Sequence, residues 1–253
     1  MTERPVILIT RPEPGASDFA KQAAIAGFDP LVEPISTLEF LPVELGDVDN
    51  FQALLLTSAN GVRALSVRTE NRSIPIFTVG SATARAAKAA GFSYVESADG
   101  TGADLSQMVA RRLCPSSGSL LHVSGTEVGF DPATSLQSEG FSVKRATLYR
   151  VRPANTLRSS FKTALQSHSI AYATFFSPQS SKTFVKLLVK ASLIGAVTRI
   201  VAVAISENAA EPLEALSWRE TLIAENPTSA SVLMAAVSHA LNPRSEDGGD
   251  KIR

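Results

Sequence analysis

Hydrophobic positions along this chain come in short bursts. Each is stopped by small polar residues and followed by a stretch where apolar residues recur at helical spacing. The first burst, Val6-Ile7-Leu8-Ile9-Thr10, is β-branched and halted by Arg11-Pro12-Glu13-Pro14-Gly15, which predicts a buried strand and a loop. Over 16–26, Phe19, Ala23, Ile25 and Ala26 predict a helix that starts near Ser17 and Asp18 and stops at Gly27. A strand over 28–32 completes a βαβ unit. The same rhythm predicts strands over 54–56, 76–79, 94–96, 119–123, from 141 onward, and over 171–176, 200–204 and 221–224. Helices are predicted between them: after Gly61, over 80–91, 103–113, up to 136, and over 156–166, 180–189, 208–216 and 228–241. The alanine-rich 82–90 segment ending in Gly91 is a strong helix signal.

Two stretches break the rhythm. Residues 34–43 alternate apolar with polar between Pro34 and Pro42, and 144–153 are extended and rich in charge; both read as connectors. Laid over one another, the halves align Ser58 with Ser177 and 76–91 with 200–215. The reading is an α/β chain of two similar, flavodoxin-like domains with parallel sheets wrapped by helices. One is discontinuous, 1–35 plus 152–241, and the other, 49–146, is inserted. Extended connectors take 36–48 and 147–151, and a tail takes 242–253. A hinge that turns the carboxyl ends of both sheets toward each other would line a cleft with their polar turns, a common ligand site.

Composition narrows the function. Lys plus Arg and Asp plus Glu both number 24, so no global field draws nucleic acid or an acidic membrane, and any anion must be held locally. The single cysteine, Cys114, and the scattered His122, His168 and His239 make no metal-binding pattern; surface or structural roles are expected for the histidines. No apolar run approaches the roughly 20 residues of a membrane helix, and the amino terminus lacks a signal-peptide layout, so a cytoplasmic protein is expected.

Candidate chemistry lies at the strand ends. Ser58, Asn60 and Gly61 after one strand, and Ser177, Gln179 and Ser180 after its counterpart, present short hydroxyls and backbone N–H groups at helix starts, which favour anions. Arg11, Arg63 and Lys182 are placed to pair with carboxylates, or to be solvated surface charges.

The motifs Leu56-Thr57-Ser58-Ala59-Asn60-Gly61-Val62-Arg63, Val79-Gly80-Ser81-Ala82-Thr83-Ala84, Leu148-Tyr149-Arg150, Phe176-Ser177-Pro178-Gln179-Ser180 and Pro227-Thr228, in this order and spacing, resemble the uroporphyrinogen-III synthases. The resemblance implies two α/β domains on a two-stranded connector, with no metal or organic cofactor. It implies a monomer that cyclises hydroxymethylbilane, a linear tetrapyrrole octacarboxylate, received by transient handover from the enzyme that forms it. Tyr149 matches the family's tyrosine near the cleft, a hydrogen-bond donor to the departing hydroxyl or a tyrosine packed on the connector. Gly80 and Thr83 match a substrate-contacting turn, where Thr83 would touch substrate or cap a helix, and Thr228 matches the start of the last helix. In the other half the chain has Ser206-Glu207-Asn208-Ala209-Ala210 where the family often has Gly-Pro-x-Thr-Ala, so the matching threonine is missing. The competing expectation is a two-domain small-anion-binding protein without catalysis. A nucleotide-dependent enzyme ranks lower, because neither glycine-rich turn forms G-x-G-x-x-G or a P-loop.

Overall fold

The alternation of apolar bursts and helical stretches becomes two open sheets in the computed structural model, which describes residues 4–242. The chain forms two compact units: one takes the described residues up to Thr37 and from Arg152 onward, the other Leu38–Val151.

The first unit contains β1 (Val6–Ile9), α1 (Gly15–Ile25) and β2 (Asp29–Val32). It resumes with α6 (Ser159–Gln166), β9 (Ile170–Phe175), α7 (Pro178–Lys190), β10 (Val201–Ala204), α8 (Glu207–Ala210), β11 (Glu220–Ile223) and α9 (Ser229–Leu241). The five strands lie in the order β11-β10-β9-β1-β2, and every neighbouring pair is parallel. Counted along the chain this is the flavodoxin-like order 2-1-3-4-5. One face packs an aromatic core in which Phe184 meets Phe175 edge-on at 5.1 Å and stacks on Trp218 at 6.0 Å. Such pairs contribute about 0.5–1.5 kcal/mol beyond area burial.

The second unit contains β3 (Ser36–Phe40), β4 (Phe51–Leu56), α2 (Ala59–Ser66), β5 (Ile76–Thr78), α3 (Ser81–Ala89) and β6 (Val95–Ser97). It continues with α4 (Gly102–Arg112), β7 (Ser119–Gly125), α5 (Pro132–Ser138) and β8 (Val143–Pro153). Its strand order is β3-β8-β7-β4-β5-β6. From β8 to β6 the strands are parallel, and in chain order they read 3-2-1-4-5, a circular permutation of the first sheet. Central β4 is apolar on both faces: Leu54 and Leu56 enter one hydrophobic core, Ala53 and Leu55 another.

The extended segments read as connectors carry strands that pair with each other. Residues 36–40 form the edge strand β3, and 147–151 continue β8 without a break. Leu41 N donates to Leu148 O at 2.9 Å and Arg150 pairs with Glu39 at 2.6 Å. Partner numbers rise on one strand as they fall on the other, so this pair is antiparallel. The helix predicted over 208–216 also changes form: it is α8 followed by a 3-10 turn, Glu211–Ala215, because Pro212 lacks the N–H a continuing α-helix needs. Of the predicted tail, only Asn242, the C-cap of α9, is among the described residues. No helix among the described residues is long and apolar enough to cross a membrane.

Candidate functional site

In the order 3-2-1-4-5 the chain leaves β4 toward one side of the sheet and reaches β7 on the other, opening a crevice between their carboxyl ends. A cavity of about 340 Å³ occupies that place. Thr57 and Ser58 after β4, Ser124 and Gly125 ending β7, the loop from Glu127 to Phe130, and Tyr149 from β8 are among its lining residues. Ser58 is the N-cap of α2, its Oγ accepting from Asn60 N at 3.0 Å. The cavity therefore lies beside a helix start, where negative charge is favoured.

Tyr149 is 8% exposed. Its ring rests on the Cα of Gly125: a Cβ there would stand 2.7 Å from Tyr149 Cε2, so a larger residue would displace the ring. Tyr149 O accepts from Thr126 N at 3.0 Å, whereas the phenol oxygen has no hydrogen-bond partner among the described residues. Phe130 lies over Gly102, the first residue of α4, where a side chain would collide with its ring.

His122, on β7, is fully buried. Its Nδ1 stands 3.4 Å from Asp131 Oδ1 without the alignment of a hydrogen bond, and neither ring nitrogen has a hydrogen-bond partner among the described residues. Burial pushes its pKa below the ordinary value of 6.5; Asp131 partly counters this and Arg145 adds to it.

In the first unit the corresponding switch point lies between β1 and β9, and there side chains close on one another. The Arg11 guanidinium stacks 4.4 Å above the Phe176 ring and donates to Ser229 Oγ at 2.8 Å. Ser177 caps α7, its Oγ accepting from Ser180 N at 3.1 Å, and Thr228 Oγ1 caps α9 by accepting from Ser231 N at 3.1 Å. Ser181 Oγ donates to Ala209 O at 2.6 Å, which places the Ser206–Ala210 departure in the core beneath the turn.

Of the residues singled out in the sequence, Ser58 and Tyr149 come together in the cavity. Gly61 does not present itself to a ligand. It is buried in α2, and a Cβ there would meet Leu56 at 3.3 Å and the Val123 carbonyl at 3.4 Å, so it serves close helix–strand packing. Arg63 donates to Asn60 Oδ1 at 2.8 Å, turning both into the α2 surface. Gly80 is the N-cap of α3, which no side chain caps, and Thr83 is buried in its first turn, so Thr83 is not the cap. Ser180 is buried against Ser177, while Gln179 and Lys182 are exposed on α7. The sequence did not signal Gly102, Phe130 or the contact of Gly125 with Tyr149, since close backbone approach leaves only a glycine as its trace.

A model of the family described as uroporphyrinogen-III synthase HemD matches residues 17–234. Among solved structures, a uroporphyrinogen-III synthetase from Helicobacter pylori is 20% identical with a TM-score of 0.62, the match covering 93% of this chain and 99% of that one. A mutant uroporphyrinogen III synthase from Thermus thermophilus is also 20% identical, with a TM-score of 0.53 and coverage of 94% and 99%. No curated protein matches. The structural likenesses speak for the fold, and the family match spans most of the sequence: this chain belongs to the uroporphyrinogen-III synthase family.

Proposed function

We propose that the protein converts hydroxymethylbilane into uroporphyrinogen III, breaking the hydroxymethyl C–O bond, releasing water, and closing the ring by a C–C bond with the terminal pyrrole inverted. The observation that carries this reading is the unpartnered Tyr149 phenol in an open cavity at the β4–β7 crevice, beside the start of α2. A phenol with an ordinary pKa of about 10 is protonated at neutral pH and can donate to the departing hydroxyl.

Restraint supplies the larger share of catalysis in this reading. Holding the reacting ends together is worth about 7–11 kcal/mol, against about 10²–10⁴-fold for a single acid, which is roughly 3–5 kcal/mol. Substrate carboxylates are received by the helix start and hydroxyls at the end of β4, Thr57 and Ser58 foremost. No cofactor takes part.

The test is incubation with freshly prepared hydroxymethylbilane, followed by oxidation and separation of the porphyrin isomers. The type III isomer is expected, and formation of the type I isomer alone would overturn the reading.

A further inference from the structure

Tyr149 owes its place to an irregularity in β8. From Leu120↔Val143 to Ser124↔Thr147 the strands β7 and β8 pair at constant register; then Gly125 pairs with Tyr149, leaving Leu148 as an extra residue. Successive side chains of a regular strand point to opposite faces, yet Leu148 and Tyr149 both pack in the core of Leu54, Leu56 and Val123. The bulge turns the tyrosine, as bulges near functional sites commonly do.

Both carbonyls at the bulge have partners. Leu148 O accepts from Leu41 N on one side, and Tyr149 O from Thr126 N on the other. The end of β7 is fastened by Arg145, an upstream residue of β8, whose Nε donates to Ser124 Oγ at 2.9 Å and whose Nη2 donates to Gly125 O at 3.2 Å. These are the two residues at which the register shifts.

We infer that Arg145 and Gly125 are positioning residues for Tyr149: the guanidinium fixes the end of β7, and the bare Cα of Gly125 receives the ring so that the phenol stands at the cavity. Neither needs to touch substrate. The inference builds on the proposed role of Tyr149, but its first test does not depend on turnover.

The chain has three tyrosines, so ring-labelled tyrosine gives a spectrum in which Tyr149→Phe identifies the Tyr149 signal. Arg145→Gln is expected to shift that signal and leave those of Tyr94 and Tyr172 in place, and Gly125→Ala to shift the same signal. In turnover, Arg145→Gln is expected to lower kcat about tenfold with KM within about twofold. Arg145→Lys, able to reach only one of the two acceptors well, is expected to fall between it and the unmodified protein. In a Tyr149→Phe background the Arg145→Gln change should cost less than about twofold, because its route of action is gone. An unmoved Tyr149 signal in either variant, or a loss in the Tyr149→Phe background equal to that in the unmodified protein, would overturn the inference. If the unmodified protein makes only the type I isomer, the synthase reading fails separately, and the ring signal still decides whether Arg145 positions Tyr149.

Discussion

The two units share an arrangement of five parallel strands but thread it differently, 2-1-3-4-5 in the first and 3-2-1-4-5 in the second, and their switch points differ in kind. Between β1 and β9 the groups satisfy one another: Arg11 covers Phe176 and bonds Ser229, and Ser177 bonds Ser180. Between β4 and β7 a cavity stays open, and a phenol at its wall is left without a partner. A strand order alone thus offers a crevice, and the side chains decide how they fill it.

The cores differ too, and the largest expected effect comes from there. Phe184→Ala removes the ring at the centre of the first unit's aromatic cluster and is expected to cost about 3–5 kcal/mol in denaturant unfolding. A loss below about 1 kcal/mol would show that the cluster is loosely packed. Tyr149→Phe should act oppositely: turnover falls about 10²-fold while KM and unfolding stay near those of the unmodified protein. Unchanged turnover would remove Tyr149 from the chemistry.

A matched pair of caps separates structure from binding. Ser58→Ala and Ser177→Ala each remove a hydroxyl that caps a helix and should each cost about 1 kcal/mol. Only Ser58 lines the cavity, so only Ser58→Ala is expected to raise KM as well. Equal KM changes in the two variants would erase the distinction between the switch points.

The smallest effect concerns pH. His122 is held neutral by burial, so the unfolded chain takes up its proton first and stability falls as pH drops below about 6.5. His122→Leu should flatten that dependence between about pH 7 and 5.5, and at pH 7.5 it should be neutral or stabilising by about 1 kcal/mol, because two unpaired nitrogens leave the core. An unchanged pH slope would show that His122 is not its source.

Much of this was legible in the sequence because it rests on local signals. Apolar bursts marked the strands, and Thr-Ser-Ala-Asn-Gly and Ser-Pro-Gln-Ser marked the caps at Ser58 and Ser177. What escaped depends on register. The extra residue at Leu148 has no composition of its own, so nothing within 147–151 marks the shift of register in β8. His122 carried no motif because its place in the sheet is set by its ladder neighbours Leu55 and Arg145, both distant in sequence. Gly61 looked like a ligand-facing turn because glycine serves turns and close packing alike; only the Leu56 and Val123 contacts decide between them.

The claim that the second unit's switch point is the working site is tested most directly by titrating the isotope-labelled protein with uroporphyrinogen III, kept reduced, and following its backbone amides. Saturable shifts are expected at Thr57, Ser58, Ser124 to Thr126 and Tyr149. Saturable shifts elsewhere with those amides unmoved would contradict the account.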